Sequence, residues 1–311
     1  MASSQARLLN VIVRAIVVRW WVQRQFESPG ASASMPPGNL LRGVATVTTD
    51  TLGGRAVWRL APLQPVPGAP LIIHFHGGGY VLGAGRPHWT FLAEVIRRTG
   101  STVWMPDYPL APASTASDTV AWATDAYAAA AADAATSAAA AGRQVVLMGD
   151  SAGGGLALAV AVASRDQGLP MPAALILLSP WLDVGMTAPD GAELDRRDRM
   201  LPSRGLLAAG RAYAGQAGVA DPMASPLFAD LTGLPPTTVF VSAAEQLLAD
   251  ARRLATRATE IPEWRVDVRE TPDMVHDWAL FGFLPEAHAT IAEITDILAA
   301  VHSAPSAQST R

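Results

Sequence analysis

From about residue 54 onward, short apolar runs alternate with longer helical stretches, and the runs themselves do not alternate polar with apolar residues. Strands of that kind are covered on both faces, and helices between them imply parallel crossovers. Residues 54–62 (GRAVWRLAP), 70–75 (PLIIHF), 101–108 (STVWMPDY), 144–148 (QVVLM), 173–178 (AALILL), 237–242 (TTVFVS) and 264–268 read as strands. Residues 119–141, 152–165, 247–259 and 285–302 read as helices. The pattern predicts an open α/β sheet, mostly parallel, with helices on both sides.

Two regions break this rhythm. Residues 1–45 precede the sheet, and residues 185–225 are loop-rich and charged, with Glu193, Asp195, Arg196, Arg197, Asp198 and Arg199 clustered. Both are expected to be additions to one catalytic domain over 46–311, together forming a helical cap over the carboxyl edge of the sheet. The charge cluster itself reads as a solvated helix face. Residues 303–311 are small and polar and are expected to fray.

Composition narrows the function. The chain has 311 residues, half of them hydrophobic and only 16% charged, with a net charge of -4, so it has the material for a core and lacks the profile of a disordered chain. No basic excess exists to neutralise phosphates, which argues against nucleic-acid binding. All 23 basic residues are Arg, so a Schiff-base lysine and a Ser-Lys dyad are excluded. Cys is absent, which removes thiolate catalysis and disulfides. Residues 8–22 come closest to a membrane segment, but Arg14 and Arg19 interrupt them; an amphipathic helix packed on the body or loosely on a membrane surface is the better reading, with cytoplasm as the default location.

The strongest chemical signal is Gly149-Asp150-Ser151-Ala152-Gly153-Gly154, a G-x-S-x-G placed directly between a strand and a helix. A serine on such a turn stands proud of the sheet, next to the free N–H groups of the helix start. The second signal is His76-Gly77-Gly78-Gly79-Tyr80 at the end of PLIIHF. Consecutive glycines let backbone N–H groups face outward, so Gly77 and Gly78, with Ala152, are the expected oxyanion donors. His76 reads as a loop-bonding residue. No spacing suggests a metal site, and no cofactor is expected.

These two motifs resemble the hormone-sensitive-lipase-like branch of the α/β-hydrolase fold, the bacterial family IV esterases. Residues 107–112 (DYPLAP), 179–183 (SPWLD) and 221–227 (DPMASPL) agree, and the resemblance covers roughly residues 40–300. It implies an α/β-hydrolase fold, a cap, and ester hydrolysis.

A hydrolase serine needs a base, and the expected chain order is Ser, acid, His. His276, in a loop after the strand WRVDV, is the histidine placed to return over Ser151, and it matches the family position. The family's acid follows the strand equivalent to TTVFVS. The text here is Ser242-Ala243-Ala244-Glu245-Gln246-Leu247-Leu248-Ala249-Asp250, which makes Glu245 the expected acid. Asp250, Asp273 and Asp277 are the other candidates, with Asp250 alternatively a helix-face partner of Arg253 or Arg257. Tyr80 and Trp181 are expected to bind substrate or else simply to pack, and Trp20, Trp21 and Trp89 are further pocket candidates.

The expected activity is a serine carboxylesterase acting on short- to medium-chain acyl esters through an acyl-enzyme. The partner is a small-molecule ester; a homodimer is compatible with the sequence. An amidase or deacetylase acting on a small N-acylated molecule uses the same chemistry. A ligand-binding homologue without catalysis is the alternative from another class, kept open because the family usually has an Asp where this chain has Glu245.

Overall fold

The computed structural model describes residues 2–15, 18–29, 32–136 and 143–303. Eight strands form one sheet: β1 (Ala45–Leu52), β2 (Arg55–Pro62), β3 (Leu71–Phe75), β4 (Val103–Pro106), β5 (Val145–Asp150), β6 (Ala174–Leu178), β7 (Thr237–Ser242) and β8 (Val266–Thr271). Their spatial order is β1-β2-β4-β3-β5-β6-β7-β8. Every pair from β4 through β8 is parallel, while β1–β2 and β2–β4 are antiparallel. This is the mostly parallel α/β sheet the apolar runs predict.

The helices are α1 (Ser4–Ala15), α2 (Val18–Glu27), α3 (Arg86–Thr99), α4 (Ala116–Thr136), α5 (Ala152–Asp166), α6 (Gly191–Arg197), α7 (Ser203–Ala214), α8 (Leu248–Ala258) and α9 (Pro285–Ser303). Successive side chains of a strand point to opposite faces, so each central strand feeds two cores. Ile73, Leu147, Leu177 and Val239 share one with Tyr127, Leu156 and Leu254 of α4, α5 and α8. Ile72, Val146, Ile176 and Phe240 share the other with Leu92, Ile96, Ile291 and Leu298 of α3 and α9.

Three expectations shift. Strand β1 was absent from the apolar reading because its sequence, ATVTTDTL, is polar and its surface is largely exposed. Its signal is of another kind: β-branched Thr and Val leading into the Gly53-Gly54 turn, both glycines at positive φ, as a tight hairpin requires. The apolar segment at 8–22 is two helices instead of one. The helix expected over 119–141 begins earlier, at Ala116; its end beyond 136, like the tail beyond 303, lies outside the described residues.

Helix α1 is tied to the sheet domain. Ser3 donates its N–H and its hydroxyl to Glu286 at 2.6 and 2.9 Å, and Asn10 Nδ2 donates to the carbonyl of Asp273 at 2.8 Å. Helix α2 packs on α7, where Gly205 allows close approach: a Cβ there would meet the Gln23 backbone at 3.0 Å. Among the described residues, no helix is long and apolar enough to cross a membrane.

Candidate active site

Strand β5 ends at Asp150, and α5 begins at Ala152. Ser151 makes the whole turn alone, at φ 52° and ψ -120°. A non-glycine residue there costs about 1–3 kcal/mol, which the packing around it must offset. That packing leaves no room for side chains on the flanking glycines. A Cβ on Gly149 would stand 2.2 Å from the Gly153 carbonyl oxygen, and one on Gly153 would stand 1.9 Å from that of Phe75.

His276 lies in the loop after β8. Its Nε2 is 2.9 Å from Ser151 Oγ. Its Nδ1 meets Glu245 Oε2 in a short hydrogen bond. Glu245 is itself fixed: Oε1 accepts from the Ser179 hydroxyl and from the Ser242 N–H, each at 2.7 Å. Nδ1–H donated to a carboxylate leaves Nε2 as the nitrogen that faces the serine. The structure thus brings together Ser151, Glu245 and His276 from the ends of three strands. Ser179 and Ser242 are the supports that sequence reasoning missed. Each sits beside a strand end, but which carboxylate they would hold depends on chain folding.

The other acid candidates are elsewhere. Asp250 turns away, and its Oδ2 accepts the N–H groups of Leu182 and Asp183 at 2.9 Å each. Burial, with Asp183 nearby, pushes its carboxyl up to about 7. Its separation from Arg253 is 3.7 Å, whereas Arg257 reaches the carbonyls of Leu227 and Ala229 instead. Asp273 pairs with Arg199 at 2.6 Å. Asp277 does reach His276, but on the wrong side: its Oδ2 is 3.0 Å from Nε2.

The glycine loop departs from the expectation at one residue. Gly77 N–H donates to Asp150 Oδ2 at 2.9 Å and is therefore spent. Among the described residues, the N–H groups of Gly78 and Gly79 have no protein acceptor, so the free donors on this loop sit one residue later than expected. Gly78 and Gly79 are at positive φ, 121° and 62°, which explains why the turn needs glycine. Ala152 opens α5, where the first N–H groups have no partner within the helix.

Asp150 organises this loop. It faces His74 Nε2 at 2.9 Å and His88 Nε2 at 3.3 Å as well as Gly77. Burial opposes its charge, yet His88 and His74 hold its carboxyl well below the usual range. His76 donates Nδ1–H to the Gly77 carbonyl at 2.7 Å and stacks on Tyr108, as a loop-bonding residue would. Burial pulls its pKa down to about 3, so it stays neutral.

Tyr80 and Trp181 do not offer surface to a ligand. Tyr80 is 1% exposed and stacks on Tyr213 with centroids 3.6 Å apart; Trp181 is fully buried and donates Nε1–H to the Asp183 carbonyl at 3.0 Å. Both pack against the start of α5, where a Cβ on Gly155 would stand 2.2 Å from the Trp181 carbonyl oxygen and 2.5 Å from the Tyr80 hydroxyl. Trp89 is likewise buried, donating to the Met35 carbonyl. Trp21 is exposed; Trp20, also exposed, borders a cleft of about 810 Å³, which Arg19, Asp195, Arg199 and Asp273 also line and Ser151 does not.

Ser151 is only 6% exposed. Helix α2 contributes to that cover, since a Cβ on Gly79 would meet the Phe26 ring at 2.7 Å. Among the described residues, no group of His, Asp and Glu is arranged to hold a metal ion.

Known proteins share this arrangement of strands and turns. Residues 72–280 match the family described as alpha/beta hydrolase fold. An esterase of Acinetobacter venetianus is 33% identical, over 73% of this chain and 73% of its own length. An acetyl-hydrolase of Streptomyces hygroscopicus is 34% identical, over 71% of this chain and 72% of its own. The crystal structure of an esterase from the bacterial hormone-sensitive lipase family superposes with a TM-score of 0.80 at 31% identity, covering 96% of this chain and 98% of that one. With two thirds of its length inside the family and its sheet shared nearly end to end, this chain belongs to the α/β-hydrolase fold family, in the hormone-sensitive-lipase-like branch of the family IV esterases, and is a carboxylic ester hydrolase.

Proposed function

We propose that the chain hydrolyses short- to medium-chain acyl esters by two-step acyl transfer through Ser151. The observation that carries this reading is the continuous line Ser151 Oγ, His276 Nε2, His276 Nδ1 and Glu245 Oε2. His276 takes the hydroxyl proton as Oγ attacks the ester carbonyl. The N–H groups of Gly78, Gly79 and Ala152 receive the oxyanion. The C–O bond of the leaving alcohol then breaks, and Nε2 returns the proton to its oxygen. Water, deprotonated by the same nitrogen, attacks the acyl-enzyme and releases the acid and the free serine. Glu245 orients the ring and stabilises the imidazolium. Losing one oxyanion donor typically raises such a barrier by roughly 3 to 4 kcal/mol, so Asp150, which sets the loop, matters to the rate without touching substrate.

Residues 1–45 and 185–225 form the cap in this reading. The packing of α2 on α7 and of Phe26 on the glycine loop supports it. The name of the Streptomyces relative, an acetyl-hydrolase, supports a preference for small acyl groups. A p-nitrophenyl ester chain-length series tests the proposal, alongside labelling by a fluorophosphonate. Wild type is expected to label and to turn over C2 to C8 esters best. Ser151→Ala is expected to lose labelling and about 10⁵- to 10⁶-fold in kcat while keeping its Tm. Activity retained in Ser151→Ala would overturn the serine mechanism, and a preference for long chains would overturn the acyl assignment.

A further inference from the structure

Asp277 has no task in that reaction, yet it stands at its centre. The residue is 8% exposed and is held at φ 53° and ψ 37° as the chain turns out of the His276 loop. Oδ2 lies 3.0 Å from His276 Nε2, the atom that also meets Ser151 Oγ at 2.9 Å. Oδ1 is buried without a hydrogen-bond partner among the described residues. A buried carboxylate oxygen left without a donor is costly, and it marks a place where a donor or a cation is accommodated.

The direction of approach follows from the chemistry. Nε2 must hand its proton to the oxygen of the departing alcohol, so that oxygen comes within hydrogen-bonding distance of Nε2. Asp277 shares that nitrogen and therefore flanks the alcohol side of the substrate. Burial pushes its carboxyl up to about 7 against the pull of His276, with Asp150 and Glu245 adding to the rise, so its charge is one that an added cation stabilises. Asp150, which meets His74 and His88, and Glu245, which meets His276, are the neighbouring carboxylates of the site, and among the described residues no Arg forms an ion pair with Asp150, Glu245 or Asp277. The chain contains no Lys.

We propose that Asp277 is a specificity-determining residue that selects esters whose alcohol carries a cationic group close to the ester oxygen, that is, esters of amino alcohols. This rests on Ser151 being the nucleophile. A substrate cation satisfies Oδ1 and draws the carboxylate off Nε2, which frees that nitrogen for Ser151. With a neutral alcohol of the same shape the carboxylate stays at Nε2, where it accepts from the protonated ring and holds on that nitrogen the proton that must be absent for Ser151 to donate to it.

The test is an isosteric pair, butyrylcholine and 3,3-dimethylbutyl butyrate, which differ only by N⁺ in place of a carbon. In wild type, kcat/KM for the cationic ester is expected to exceed that for the neutral one by at least about tenfold, with the ratio falling as ionic strength rises. In Asp277→Asn the ratio is expected to drop toward one; effects of the substitution on His276 act on both esters and cancel in it. Asp277→Ser serves as a second removal of the charge if the amide variant does not fold. A wild-type ratio near one overturns the proposal, and so does a preference that survives removal of the charge. Ser151→Ala separates the two levels: if it still hydrolyses both esters, the serine mechanism falls; if it is inactive and wild type shows no preference, only the assignment of Asp277 falls.

Discussion

The reacting centre and the junction beneath α2, α6 and α7 are both polar and largely buried, but they are built on different scales. At the centre, each group sits within a few residues of a strand end, and the strand order brings those ends side by side. At the junction, one side chain from near the N-terminus does the joining. Arg19 Nη1 donates to the carbonyls of Asp195, Asp198 and Leu201 at 2.9, 2.6 and 2.8 Å, and Nη2 pairs with Asp195 at 2.8 Å. Gln246 completes it: its N–H donates to Asp198 Oδ2 at 2.9 Å and its Nε2 to the Leu201 carbonyl at 2.6 Å. Gln246 follows Glu245, so the two networks touch at one peptide bond. The comparison teaches that the Ser151, His276 and Glu245 constellation is fixed by the sheet, while α2, α6 and α7 are latched to it from outside, next to Glu245.

The sharpest way to break that division is to strike each side. Glu245→Gln keeps the shape but denies His276 its carboxylate, and kcat is expected to fall about 10⁴-fold with the fold intact by circular dichroism. A variant that kept near-full activity would mean the acid is another residue. Arg19→Met, on the cap side, strands three carbonyls and is expected to cost roughly 1–3 kcal/mol in thermal or urea unfolding. Its effect is expected in KM and cap order, with kcat changed less than tenfold; a loss in kcat like that of Glu245→Gln would show that the cap participates in the chemistry.

A smaller effect concerns pH. Burial pulls the His276 pKa down, but Asp277 and Glu245 push it well above its ordinary value of 6.5; Asp198 is the other carboxylate in reach. The base must be neutral, so kcat/KM rises with pH as the proton leaves, and the limb lies above 6.5. Asp277→Asn removes one of these carboxylates, lowers the His276 pKa and moves the limb to lower pH. A pH–rate profile with the neutral ester checks the sign; a limb that moved upward would contradict it. Smallest of all, Trp20→Ala is expected to change stability by no more than about 0.5 kcal/mol, because the residue is 57% exposed, and a larger loss of Tm would mean that it is covered in solution.

The centre was the more legible region. G-x-S-x-G between a strand and a helix specifies its own backbone, since Gly149 and Gly153 are admissible only as glycine there. His276 was readable from chain order. Glu245 needed the spacing after TTVFVS, and no local feature distinguishes it from Asp250. The free donors of the glycine loop sit one residue later than the motif predicts because the first N–H is claimed by Asp150, a partner distant in sequence. The charged cluster at 193–199 misled in the opposite sense: Asp198 is buried and takes three N–H groups, two from its own turn and one from Gln246. Residue type says that a carboxylate prefers water; only the fold says that donors are waiting for it.

By itself the sequence determined the parallel sheet, the serine turn, the glycine loop and the late histidine. Each follows from periodicity or from a local conformation that few residues can adopt. Tertiary structure decided which of three glycine N–H groups are free, which carboxylate meets Nδ1 and which meets Nε2, and that Tyr80 and Trp181 face inward. Those are choices among chemically equivalent partners. They are made by distance and direction between residues far apart in the chain, and no local preference encodes them.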